Sequence, residues 1–220
     1  MRDRCTVVSA MRPRASHLGP ERRRPLVLDA ALTVFVENGY FGSTMAAIAD
    51  AAGVTKPVVY ECYPNKEGVY AALLDREEQR LLTAVQAALP ERMDVGDLQS
   101  MLAGGMAALF TAATSAPNSW RVVYDTQHGH PPAVADRVHQ ARQSVLGALG
   151  GLVTSYLAER SVEESDKIAP VLAEVIASAA EAGVRILLSG TGGWRPVDLA
   201  TWLSALLVEG ADQRFGPVGT

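Results

Sequence analysis

The sequence predicts an all-α protein of two helical parts, on three observations. Apolar residues recur at three- and four-residue spacing along almost the whole chain after Glu21, with no convincing alternating strand and no internal repeat. Proline, glycine and polar breaks cut this pattern into segments of helical length. Between Ser43 and Tyr63 the chain reads STMAAIADAAGVTKPVVYECY, the spacing of a helix-turn-helix. There Ala49 stands four residues before Gly53, and Ile48, Ala52, Val54 and Val59 fill the apolar positions around them. Two short helices crossing steeply need a small residue at closest approach, and the turn between them needs one that accepts positive φ.

The elements follow in order. Residues 1–20 hold Arg2, Arg4, Arg12 and Arg14 among Pro, Ser and Gly, the composition of a mobile basic arm. Met11 is an alternative start. A first helix begins near Glu21, carries the stripe Val27, Ala31, Val34 and Phe35, and is expected to end at Gly39. The second starts near Met45 with Ser43 or Thr44 as N-cap. The third has Thr55 as N-cap and Pro57 in its first turn, where a missing N–H costs nothing. Asn65 caps a long fourth helix running toward Pro90. Beyond it, helices are expected over 95–115, 117–128, 131–159, 164–189 and 195–213. The GTGG at 190–193 reads as a C-cap and turn. Three parts are expected: the arm at 1–20, a helix-turn-helix domain at 21–66, and a larger helical domain at 67–220, for which DNA binding in the former and ligand binding and dimerisation in the latter are the roles argued below.

Charge separates the same parts. The formal net charge of −4 divides into +3 over residues 1–66 and −7 over residues 67–220. The basic portion coincides with the helix-turn-helix, as phosphate contact requires, and the acidic portion is repelled by DNA. Apolar residues make up 48% of the chain, yet no run reaches the roughly 18 residues of a membrane helix. No apolar leader follows the N-terminal arginines, so no signal peptide or membrane partner is expected. Cys5 and Cys62 form neither a disulfide framework nor a zinc spacing, and a cytoplasmic location is the simplest expectation.

From Arg24 to Leu74 the chain resembles the DNA-binding domain of the TetR family of transcriptional regulators. The run LDAALTVFVENGYFGSTMAAIADAAGVTKPVVYECYPNKEGVYAALL carries the resemblance at Phe35, Gly39-Tyr40, Thr44, Ile48-Ala49, Ala52-Gly53-Val54, Tyr60 and Lys66-Glu67. The resemblance implies a homodimer on a pseudo-palindromic double-stranded operator and a small-molecule pocket in each C-terminal domain. Glu61 and Cys62 depart from it, standing where the family often has an aromatic and a histidine.

The candidate DNA-binding residues are Thr44, Thr55, Lys56, Pro57, Tyr60, Glu61 and Lys66. Thr44 lies at a helix start, where hydroxyl and backbone N–H both suit a phosphate. Thr55, Lys56, Pro57, Tyr60 and Glu61 project from the exposed face of the third helix. Lys56 can reach guanine or phosphate. Tyr60 can donate to a phosphate or pack on a thymine methyl, with core packing below the fourth helix as its alternative. Lys66 is a phosphate contact by family analogy. Glu61 is expected to pair with Lys56 or an arm arginine rather than accept from cytosine, and Cys62 to be a buried structural thiol rather than a redox switch.

In the C-terminal part, Gly104-Gly105 and Gly150-Gly151 interrupt helical pattern at about 1 kcal/mol each against alanine. Close helix crossing is the simplest reason, and room for a ligand is the alternative. Met101, Gly105, Met106, Phe110, Trp120, Tyr124 and His128 are the candidate ligand-binding residues, an apolar wall with a few polar tips that suits an unidentified small apolar or amphipathic effector. His128, His130 and Asp125 lack a diagnostic metal spacing, and no catalytic signature occurs, so neither metal, cofactor nor enzymatic activity is expected. The helices over 164–189 and 195–213 are apolar nearly all round, with Val171, Val175, Ile176, Gly183, Trp202, Leu203, Leu206 and Leu207 among the residues involved. Such helices are buried on two sides, which points to a homodimer through residues 164–213. Two other classes stay open: a helical carrier or enzyme that keeps the module unused, and a DNA binder without effector.

Overall fold

The structure, a computed structural model, describes residues 19–88, 97–124 and 132–215. Among these residues the chain is all-α, as predicted: α1 Pro20–Gly42, α2 Met45–Ala52, α3 Lys56–Cys62, α4 Lys66–Ala88, α5 Leu98–Ser115, α6 Pro117–Tyr124, α7 Pro132–Glu159, α8 Ser165–Ser189 and α9 Pro196–Phe215, with a single 3-10 turn at Thr191–Gly193. It divides into two compact units between Leu73 and Leu74, inside α4.

The first unit is α1 to α3 with the opening turns of α4. Its core is Val27, Ala31, Val34, Phe35, Ile48, Ala49, Val59, Val69 and Leu73. The α1 stripe foreseen in the sequence is therefore the face that α2 and α3 cover. Tyr70 of α4 meets Phe35 edge-on at 4.8 Å between ring centroids and Tyr40 at 4.9 Å. These contacts explain why the first unit reaches past residue 66: the opening turns of α4 bury their apolar side chains within it. Burial, then the neighbouring Tyr40, pushes the Tyr70 phenol up to about 12.

The second unit is the remainder of α4 with α5 to α9. Phe110, Leu157, Val153, Val184 and Leu199 are at its centre, on α5, α7, α8 and α9. One glycine there lies hard against a neighbouring helix. A β-carbon built on Gly183 of α8 would lie 2.3 Å from Cζ of the Phe110 ring on α5. Three of the four glycines singled out in the sequence behave otherwise. A β-carbon on Gly105, Gly150 or Gly151 would meet nothing within 4 Å, so close helix crossing is not what places a glycine there. Gly183 was legible only as one more small residue in an apolar helix.

A polar anchor in this unit is Glu77 of α4, whose side chain is fully buried. Its carboxylate accepts from Arg76 Nε at 2.7 Å, Arg80 at 3.1 Å and the Ser119 hydroxyl of α6 at 2.6 Å. On α7 and α9, the Tyr156 hydroxyl donates to Asp212 at 2.5 Å, and Arg160 donates to the same oxygen at 3.0 Å.

Candidate DNA-facing site and helical body

The helix-turn-helix is built as its sequence demands. Thr44 is the N-cap of α2, its hydroxyl accepting from Ala47 N–H at 3.1 Å. Gly53 ends α2 at φ 66° and ψ 31°, the left-handed region that favours glycine. The N–H groups of Gly53 and Val54 return to the carbonyls of Asp50 and Ala49 at 3.1 and 3.0 Å, which closes the helix and turns the chain. Ala49 and Ile48 are buried beneath. Thr55 then begins α3, but its hydroxyl makes no capping bond, in contrast to Thr44. Pro57 stands in the first turn as expected.

Thr55, Lys56, Pro57, Tyr60 and Glu61 are all exposed on α3, opposite the buried Val59 and Cys62. Tyr60 is 45% exposed, so it is no part of the core, and the Lys56 ammonium lies 5.9 Å from its ring centroid. Glu61 is paired, though with neither partner foreseen. Arg23 of α1 donates to it at 2.9 Å, because α1 packs beside α3 and brings its first turns there. The thiol of Cys62 is buried, and that burial pushes its pKa up, which disfavours the reactive thiolate.

Two features here were not foreseen. Gly39, at φ 67° and ψ 173°, breaks the regular run of α1 where the sequence placed its end, but beyond that kink a further turn follows through Tyr40, Phe41 and Gly42. That turn carries Phe41, 70% exposed. The second feature is Lys66. Expected to reach outward for phosphate, its ammonium instead donates to the carbonyls of Tyr40 at 2.7 Å and Ser43 at 3.0 Å and lies 4.3 Å from the Tyr40 ring centroid. Asn65, by contrast, caps α4 as expected, accepting from Gly68 N–H at 2.7 Å.

In the second unit, Met106 and Phe110 are core residues, Met101 and Gly105 are half-buried, and the Trp120 and Tyr124 rings meet at a 40° tilt with centroids 4.4 Å apart. Burial, then the neighbouring Glu78, raises the Tyr124 phenol. His128, His130, Asp125 and the arm before Gly19 lie outside the described residues. An apolar cavity of ≈ 30 Å³ opens elsewhere in this unit, between α5, α7, α8 and α9, with Leu102, Val153, Tyr156, Leu172 and Ile176 among its walls. None of the described candidate ligand residues lines it. Among the described residues no group of His, Cys, Asp and Glu could hold a metal ion, and no helix is long and apolar enough to cross a membrane.

A helix-turn-helix unit joined through one helix to a larger helical unit defines the class of fold. Residues 27–73 match the family of bacterial regulatory proteins, tetR family, and this part of the chain is a domain of that family. It is 31% identical to the HTH-type transcriptional activator FasR of Mycolicibacterium smegmatis over 64% of this chain and 63% of that one. It is 29% identical to the HTH-type transcriptional repressor BepR of Brucella suis over 82% and 80%. The chain thus spans less than two thirds of FasR. A TetR-like transcriptional regulator from Rhodococcus sp. RHA1 shares the fold, with a TM-score of 0.71 at 24% identity over 89% of this chain and 98% of that one.

Proposed function

We propose that the protein is a DNA-binding transcriptional regulator rather than a catalyst, acting as a homodimer on a palindromic operator. The observation that carries this reading is the solvent-facing surface of α3, where Thr55, Lys56, Pro57, Tyr60 and Glu61 stand exposed on a helix-turn-helix. Such a helix presents its side chains to base edges in the major groove, while a capped helix N-terminus such as that of α2 receives phosphate. The Arg23–Glu61 pair neutralises a carboxylate that phosphates would otherwise repel. Dimerisation through residues 164–213 is supported by Val171, Val175, Trp202 and Leu206, large apolar side chains left exposed on α8 and α9.

Release by a small apolar or amphipathic effector completes the proposal and makes the protein a repressor. FasR is named an activator and BepR a repressor, so relatives support regulation in either direction. Open space at Gly105 supports room for a ligand beside α5. Because α4 supplies residues to both units, a ligand that favours one setting of α4 shifts the population of DNA-competent dimers. Coupling of about 1–3 kcal/mol is typical for such a shift.

The test is selection of duplexes from a random pool, followed by titration with Lys56→Ala and Tyr60→Ala chains. Each change is expected to weaken a selected duplex by about tenfold or more, ~1.4 kcal/mol. Equal binding by wild type and the double variant would count against the DNA reading. A metabolite screen on the selected duplex then tests release, and Gly105→Leu should abolish the response to any active compound while leaving duplex affinity unchanged.

A further inference from the structure

Lys66 stands at the first residue of α4, and by family analogy it is one more phosphate contact. Its surroundings argue otherwise. The ammonium has three N–H donors, and two are directed at the backbone carbonyls of Tyr40 and Ser43, at 2.7 and 3.0 Å. The face of the Tyr40 ring lies 4.3 Å away, and the side chain is half-buried. The two carbonyls belong to the last turn of α1 and to the residue immediately before the α2 cap.

The backbone at that place is irregular. Gly39 kinks α1, and the chain must leave Gly42 and re-enter a helix at Met45 within two residues. The Ser43 hydroxyl, buried, bonds back to the carbonyls of Gly39 at 2.6 Å and Val34 at 3.2 Å. Lys66 holds the other side. A peptide bond is planar, so a carbonyl fixed at Ser43 fixes the plane that contains the Thr44 N–H. The direction in which α2 sets out, and the place of the Thr44 cap, follow from that plane.

We infer that Lys66 is a positioning residue: its ammonium clamps the α1–α2 turn and so sets the N-terminus of α2 for DNA, without itself touching phosphate. The inference rests on the DNA-binding reading above. It predicts a pattern that a phosphate contact does not produce. Arginine is as good a phosphate ligand as lysine, but its planar fork does not match a compact ammonium set on two carbonyls and an aromatic face. A positioning role therefore fails with Lys66→Arg as well as with Lys66→Met.

The experiment measures affinity for a duplex selected by the wild-type chain, as a function of salt, for wild type, Lys66→Arg and Lys66→Met. Both variants are expected to bind about tenfold or more weakly with the wild-type salt slope. A phosphate contact would instead tolerate arginine, and Lys66→Met would lower the slope by about 0.9. Either of those results overturns the inference while leaving DNA binding intact. Failure of the wild-type chain to select any duplex would bring down the DNA reading and this inference with it. A second measurement needs no variant. The sequence has three lysines, Lys56, Lys66 and Lys167. In DNA-free protein treated with an amine-acylating reagent, Lys66 should be modified more slowly than the exposed Lys56 and Lys167, and equal rates would remove the clamp.

Discussion

Gly183→Ala is expected to destabilise the second unit by about 1–3 kcal/mol, the range for an overpacked core. The added methyl would sit 2.3 Å from Cζ of Phe110, closer than any real contact, and the ring is fully buried and has nowhere to withdraw. Alanine also improves helix propensity by up to about 1 kcal/mol, which offsets part of the loss without reversing it. Gly105→Ala isolates that second effect, because nothing lies within 4 Å of its added carbon, and should raise stability by about 0.5–1 kcal/mol. Thermal unfolding of the two variants beside wild type makes the comparison. A melting temperature unchanged by Gly183→Ala would mean that α5 and α8 do not approach as closely as described. Partial recovery on adding Phe110→Leu would locate the strain at that one contact.

The second large effect concerns assembly. Leu206→Glu is expected to turn the proposed dimer into monomers that keep their fold. Leu206 is 56% exposed on α9 and Trp202 is 53% exposed, so a carboxylate at 206 is harmless in an isolated chain. Within a closed dimer face it would be a buried, unpartnered charge, at about 3–5 kcal/mol each. The choice of position matters. Leu203 and Leu207 look equivalent in the sequence, but both pack against the core of their own chain, and a charge there would damage the fold as well as any interface. Light scattering or sedimentation at micromolar concentration reads the outcome. A wild-type chain that is already monomeric would dispose of the dimer proposal, and so would a Leu206→Glu chain that stays dimeric.

The contrast between Leu206 and Leu207 marks where sequence reasoning stopped. Periodicity identified α8 and α9 as apolar on more than one side, since that depends only on which residues recur at helical spacing. It did not divide the stripe into the side facing the chain's own core and the side left open, because that depends on where α5 and α7 lie. The helix-turn-helix was almost wholly legible. Its constraints are local: a cap at Thr44, a left-handed turn at Gly53, a small residue at Ala49. The contacts of Lys66 were illegible for the same reason that Glu61 was paired with the wrong cation. Each partner comes from α1 or its last turn, more than twenty residues away, and no spacing rule joins them. The intrahelical glycines show the limit most plainly. A glycine announces that something is unusual, but only the neighbour's coordinates say whether it is a tight contact, as at Gly183, or vacant space, as at Gly105.

Glu77 gives the second unit a means of rejecting wrong arrangements. An apolar side chain in its place would be content in many packings of similar density. A carboxylate with no access to water is content in one, where the hydroxyl of Ser119 and the guanidinium groups of Arg76 and Arg80 all arrive together. Arg76 and Arg80 lie on α4 and travel with it, so sliding α4 by one residue against α6, a rotation of about 100°, would cost the carboxylate its bond to Ser119, at about 1–3 kcal/mol. Whatever moves this helix against α6 must therefore first break the bond to Ser119, which marks one setting of α4 off from its neighbours.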